Sequence, residues 1–169
     1  TEQFLVKKMR ATVIDTVPAH NFLNWGVCGG LDNAKGRDAD CSISFKYGMK
    51  RDFNVWLKSL GDKAPVKTLA ELRAWNIAHQ RAMAIKYGQA NLDVSDEMDL
   101  QADRAKYEAD RRKDVLLSAT NGIDAVVRNH QLDALLIRSV SSANIGARAG
   151  YPTVTVPFTF LPAQGGGAG

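Results

Sequence analysis

Apolar positions along the chain alternate between two periods, and the changes of period mark its elements. Phe4 to Met9 reads as the end of a helix, and Ala11 to Val17 is a β-branched run closed by Pro18, the pattern of a strand. From His20 to Asp40 the chain crowds Gly, Asn and Asp together, with Gly29-Gly30 and Asp32-Asn33, and reads as a loop. Phe45, Met49, Phe53, Trp56 and Leu60 then recur every three or four residues, which predicts a helix stopped by Gly61 with that face in the core. Thr68-Leu69-Ala70-Glu71 is a capping box, in which the Thr68 hydroxyl suits an early helix amide and Glu71 reaches back to the cap. Leu69, Leu72, Trp75, Ala78, Ala82 and Ile85 keep the helical period until Gly88, and Asn91 to Asp99 reads as a polar, acid-rich connection.

Further helices are predicted from Leu100 to Thr120 and from Ile123 to Asn129. Asp133 to Ile137 reads as a buried strand, Ser141 to Ala149 as a loop or short helix, and Thr153 to Phe160 as a second strand. Two similar strands joined by a crossover predict an α/β fold, a mixed sheet covered by helices. A chain of 169 residues has the size of one domain, and 45% apolar with 24% charged residues is an ordinary globular balance that argues against a largely disordered chain. Residues 1–162 are therefore expected to belong to one domain, and the glycine-rich 163–169 to form a flexible tail.

Composition narrows the function classes. No apolar run approaches the roughly 18 residues a spanning helix needs, and the start Thr1 to Lys8 has no signal-peptide core, so a soluble, cytoplasmic chain with no membrane partner is expected. A net charge of +4 comes from 22 basic and 18 acidic residues that are interleaved, which argues against a nucleic-acid partner. Cys28 and Cys41 form no Cys-x-x-Cys pair and have no nearby His; two free thiols are expected, with a single disulfide as the alternative in a secreted chain. His20, His79 and His130 are scattered, and Asp93, Asp96, Glu97 and Asp99 lack the glycine and terminal glutamate of an EF-hand loop, so no metal and no cofactor is expected. The acid cluster reads as helix-start electrostatics. Arg104, Lys106, Arg111, Arg112 and Lys113 alternate with Asp103, Glu108, Asp110 and Asp114 as on a solvated helix face, with Glu108 to Arg112 a favourable pair.

Four segments carry a family resemblance. They are Ala147 to Pro157, a small-residue run turning through Gly150-Tyr151-Pro152 into an alternating strand; Leu132 to Ile137; Tyr47 to Leu57; and Lys67 to Leu72. Together they resemble the C-terminal half of the amidase signature hydrolases, so the chain is expected to form part of the amidase signature fold. The resemblance implies cleavage of carboxamide C–N bonds through an acyl-enzyme, with a serine nucleophile activated through a second serine by a lysine. Those residues belong to an earlier half of such enzymes. Here Cys28-Gly29-Gly30 runs into Leu31, and Ser141-Ser142 lacks flanking glycines, so no residue of this chain is expected to be catalytic.

The expected role is scaffold and substrate pocket, with a small-molecule amide and the complementary N-terminal part of the same protein as partners, and with homo-oligomerisation left open. A non-catalytic amidase-like binding or assembly module is the alternative. Arg138, Ser139, Ser141, Ser142 and Asn144 are the pocket candidates, because they follow the first C-terminal strand where the family has a pocket-lining segment. The guanidinium fork of Arg138 suits an anionic or carbonyl-bearing group, and Asn144 suits an amide. Their plainer roles are a surface ion pair for Arg138 and helix capping for the serines and Asn144.

Overall fold

The structure, a computed structural model, describes residues 12, 26–29, 40–136 and 141–155. The readings at Phe4 to Met9 and Ala11 to Val17 lie outside it, apart from the single residue Thr12, as does the 163–169 tail. Strands β1 (Gly26–Val27) and β2 (Cys41–Ser42) pair in parallel, Gly26 opposite Cys41, and the ladder continues through the Cys28 amide to the Ser42 carbonyl at 2.9 Å. That register places the two cysteines side by side, with Cα atoms 5.2 Å apart, and they form a disulfide. The free-thiol expectation is thereby corrected: strand pairing, which the spacing of cysteines does not reveal, supplies the geometry a bridge needs.

Helix α1 (Ser44–Ser59) follows β2 directly and ends at Gly61, whose φ of +56° lies in the left-handed region natural to glycine at a helix C-terminus. Its buried side is Lys46, Tyr47 and Leu57, and Tyr47 joins Cys28, Cys41, Ile43 and Met98 in the core, against which Leu100 and Tyr107 pack. Of the face expected to be core, Met49, Phe53 and Leu60 are half-buried, while Phe45 and Trp56 are 44% and 53% exposed. The buried side mixes Tyr47 and Leu57 with Lys46 and Lys50, so the apolar period does not find it; polar tips do. The Tyr47 hydroxyl donates to the Leu100 carbonyl at 2.7 Å, and Lys50 Nζ donates to the Asp96 and Met98 carbonyls at 2.6 and 2.8 Å. These carbonyls lie on the far side of the core, and satisfying them draws the Tyr47/Lys50 face inward.

Helix α2 (Leu69–Ala78) starts at the capping box. The Glu71 amide donates to Thr68 Oγ1 at 3.1 Å, and the Glu71 carboxylate accepts from the Lys67 amide at 2.7 Å, one residue before the expected cap. Asn54 of α1 accepts from the Leu69 amide at 2.9 Å and ties the two helices together. Thr68→Ala is expected to lower unfolding free energy by about 1 kcal/mol, read by urea titration, since one early amide then loses its acceptor. The helix stops at Ala78 rather than Ile85. Beyond it Met83 and Tyr87 are exposed, Met83 has φ +65°, and little burial carries the helix onward.

Helix α3 (Ala90–Asp96) occupies the expected polar connection. It buries only Val94 and Ser95, too little for a visible period, and is held by ions: Arg73 of α2 meets Asp93 at 2.7 Å and Asp96 at 2.6 Å. Helix α4 (Arg104–Val115) runs into a π-helical stretch, Leu116–Ile123, where Gly122 leaves helical geometry, and then into α5 (Asp124–His130). The expected pair of helices is thus present, joined by a widened turn rather than a break. Helix α6 (Ser141–Ala149) forms where a loop or short helix was expected. Residues 133–136 and 153–155, read as strands, carry no ladder, and Leu136 and Val154 are 69% and 85% exposed. The rest of both segments lies outside the described residues.

Candidate functional site

Of the five pocket candidates, Arg138 and Ser139 lie outside the described residues, and of Ser141 and Ser142 only the main chain, opening α6, is described. Asn144 is exposed on the first turn and a half of that helix. At its far end Gly150, with φ +79°, turns the chain back, and the Gly150 and Tyr151 amides both donate to the Gly146 carbonyl. The returning segment crosses α6 closely: a Cβ at Gly146 would sit 2.4 Å from Thr153 Oγ1, so glycine makes room for that hydroxyl. The Tyr151 hydroxyl donates to Asp124 of α5, and that bond holds the phenol above its ordinary titration range. Gly150-Tyr151-Pro152 is therefore a clasp between α5 and α6.

Beside α6 lies a buried polar cluster that sequence reading placed on a solvated face. Asp110 and Asp114 sit one turn apart on α4, 7% and 2% exposed, and Ser42 and Lys46 are fully buried. The Ser42 hydroxyl donates to Asp114 Oδ2 at 2.7 Å, Ser118 donates to the Asp114 carbonyl at 2.5 Å, and Arg148 Nη1 stands 3.5 Å from Asp114 Oδ1. Burial lowers the basicity of Arg148, and the Asp114 charge opposes that shift. Asp110 Oδ2 accepts from the Ile43 amide at 3.0 Å and from Lys106 Nζ at 2.7 Å. Helix α1 has no acid in its own first turn, so Asp110 supplies from α4 the negative charge its N-terminus favours. Arg111 donates to the Arg148 carbonyl at 2.6 Å and closes α4 onto α6.

The cluster joins β2, α1, α4 and α6, and Ser42, its one internal hydroxyl beside a carboxylate, is sealed from solvent. It is a clamp rather than a reaction centre. The α4 surface also differs in pairing: Glu108 binds Arg104 at 2.9 Å rather than Arg112. His79 is exposed, stacks on Trp75 at 4.0 Å and has Nδ1 2.7 Å from the Trp75 carbonyl. Among the described residues no group of His, Cys, Asp and Glu is arranged to hold a metal ion, and no helix is long and apolar enough to cross a membrane.

Two depressions flank α1. One, about 310 Å³, is lined by the stacked rings of Tyr47 and Tyr107, 4.3 Å apart, with Arg51, Arg104, Leu100 and Glu108. Arg51 lies over the Tyr107 ring at 4.9 Å. Both cations are already held by carboxylates, Arg51 by Asp52 at 2.7 and 3.1 Å and Arg104 by Glu108, so the slot is not a ready anion site. The other, about 400 Å³, is an open groove along Phe45, Gly48, Met49 and Phe53.

Comparison with known proteins adds one relative. The chain is 26% identical over 123 residues to a probable amidase of Arabidopsis thaliana, a match that takes in 72% of this chain and 23% of the relative. The chain thus spans under a quarter of the length of the curated relative it matches. No family model matches it, and neither does any solved structure.

Proposed function

We propose that this chain is a scaffold-and-pocket portion of an amidase-type hydrolase that cleaves carboxamide C–N bonds through a Ser/Ser/Lys acyl-enzyme, its nucleophile lying outside these 169 residues. The observation that carries this reading is the similarity to a probable amidase over most of the chain. The hydrogen bonding of four described serines agrees with it. Ser42 donates to a carboxylate, and Ser59, Ser95 and Ser118 donate to main-chain carbonyls, which is anchoring rather than activation. In this reading 133–136 and 153–155 are strands of a mixed sheet whose neighbours come from the rest of the protein. Arg138, Ser139, Ser141, Ser142 and Asn144 then lie along one wall of the amide pocket. The Cys28–Cys41 bond favours an oxidising compartment over the cytoplasm expected from the sequence.

One observation favours the second reading, a non-catalytic amidase-like module. The described residues bring their own core, disulfide and buried polar clamp. The two readings part on one assay, amine release from primary and aryl carboxamides by the product of the complete reading frame. Hydrolysis that disappears when an upstream lysine is replaced supports the enzyme, whereas a well-folded, inactive product supports the module. The 169-residue chain by itself is expected to release no amine.

A further inference from the structure

Helix α6 is short, and its place is set from one end. Nine residues are too few for a helix to persist in water by itself, so its neighbours hold it. It packs on α4 and on the π-helical stretch Leu116–Ile123, with Ile145 and Arg148 each 8% exposed. Asn144, a pocket candidate, is exposed one turn before Arg148. Among the described residues, Arg148 carries the polar ties of α6 to α4: its carbonyl accepts from Arg111 at 2.6 Å, and its guanidinium faces Asp114 at 3.5 Å.

Burying an arginine is costly. Desolvation opposes its charge and lowers its basicity, and an apolar residue of similar bulk would often serve stability as well. Apolar contact is non-directional, however, and a helix held by Ile145 alone could slide along its neighbour. Arg111 and Asp114 lie three positions apart on one face of α4, so meeting both at once fixes α6 in its distance from α4 and in its position along it. We infer that Arg148 is a positioning residue for the amide pocket, fixing through Asp114 and Arg111 the place at which α6 presents Asn144. This rests on the amidase-type reading for the pocket itself, and it adds what sets one of its walls. Arg148 acts from the buried side of the helix and touches no substrate.

Arg148→Met alone leaves Asp114 without its guanidinium and is expected to loosen the fold. The informative variant is therefore Asp114→Leu with Arg148→Met, in which apolar side chains fill the site and much of the stability returns while the direction is lost. In the product of the complete reading frame, this double variant is expected to raise the KM for a primary carboxamide about tenfold while kcat stays within about twofold, because a binding wall has moved and the upstream nucleophile has not. Arg148→Lys keeps a cation before Asp114 and is expected to hold KM nearer to that of the unchanged enzyme. In the 169-residue chain the double variant is expected to exchange the amides of Ile145 to Tyr151 faster, with those of α1 and α2 as before.

An unchanged KM in the double variant overturns the proposal. So does a loss of amide protection in α1 equal to that in α6, since Arg148 would then support the fold at large rather than this helix. A longer product that hydrolyses no amide before any substitution overturns the amidase-type reading instead, and faster exchange confined to α6 then still upholds Arg148 as the residue that places the helix.

Discussion

Asp114→Ala is expected to cost about 3–5 kcal/mol of unfolding free energy, measured by urea titration followed by circular dichroism. The carboxylate is 2% exposed, accepts the Ser42 hydroxyl through one oxygen and faces the Arg148 guanidinium through the other at 3.5 Å. Removing it takes a facing carboxylate from a guanidinium that is itself 8% exposed and removes the acceptor of a fully buried hydroxyl. Depth is what sets the size. Glu108→Ala breaks the Arg104 pair on the same helix, where the side chains are 72% and 46% exposed and solvent screens the charges, and should cost far less. If the cost of Asp114→Ala comes from uncompensated charge, the double variant Asp114→Leu with Arg148→Met recovers a large share of it. A cost for Asp114→Ala as small as that for Glu108→Ala would show that the clamp does not hold the fold.

Breaking the Cys28–Cys41 bond ranks second. Replacing both cysteines by alanine is expected to cost about 3 kcal/mol, the loop-closure value for a bridge of this span, in which the cysteines are 13 positions apart. The bond also lies in the core, with Cys28 fully buried and Cys41 6% exposed, so the alanines add a packing loss. Two effects are distinguishable. Reduction of the unchanged chain removes only the crosslink, while the double variant removes crosslink and sulfur volume together. The reduced chain should therefore melt between the oxidised chain and the double variant. A melting temperature indifferent to reduction would mean that β1 and β2 hold their register without the bridge.

Local signals in this sequence are sound where one residue type has one physical role. Thr68 and Glu71 cap α2 because a hydroxyl and a carboxylate three residues apart each accept one free amide, those of Glu71 and Lys67, and Gly61 ends α1 because its φ of +56° suits glycine. Choices that depend on distant partners are not legible in the same way. Nothing near Asp110 and Asp114 in sequence distinguishes them from solvated acids; Ser42 and Ile43, some seventy residues earlier, draw them inside. The inner face of α1 was hidden for a related reason, since Lys50 and Tyr47 look like surface residues until the carbonyls of Asp96, Met98 and Leu100 receive them. The disulfide needed a strand register, and α3 needed Arg73. Of the pocket candidates, Ser141, Ser142 and Asn144 fall in a stretch that reads as a loop or short helix and is α6 in the structure, and the chemistry proposed for them depends on a wall that other residues complete.

The central claim is that these residues belong to an acyl-enzyme amidase without holding its nucleophile. Its most direct test is intact-mass spectrometry after exposure to a fluorophosphonate serine probe, on this chain and on the product of the complete reading frame. The 169-residue chain is expected to keep its mass, and the longer product to gain one probe adduct on a serine upstream of this chain. A stoichiometric adduct on the 169-residue chain, abolished by replacing one of its own serines, would contradict the claim.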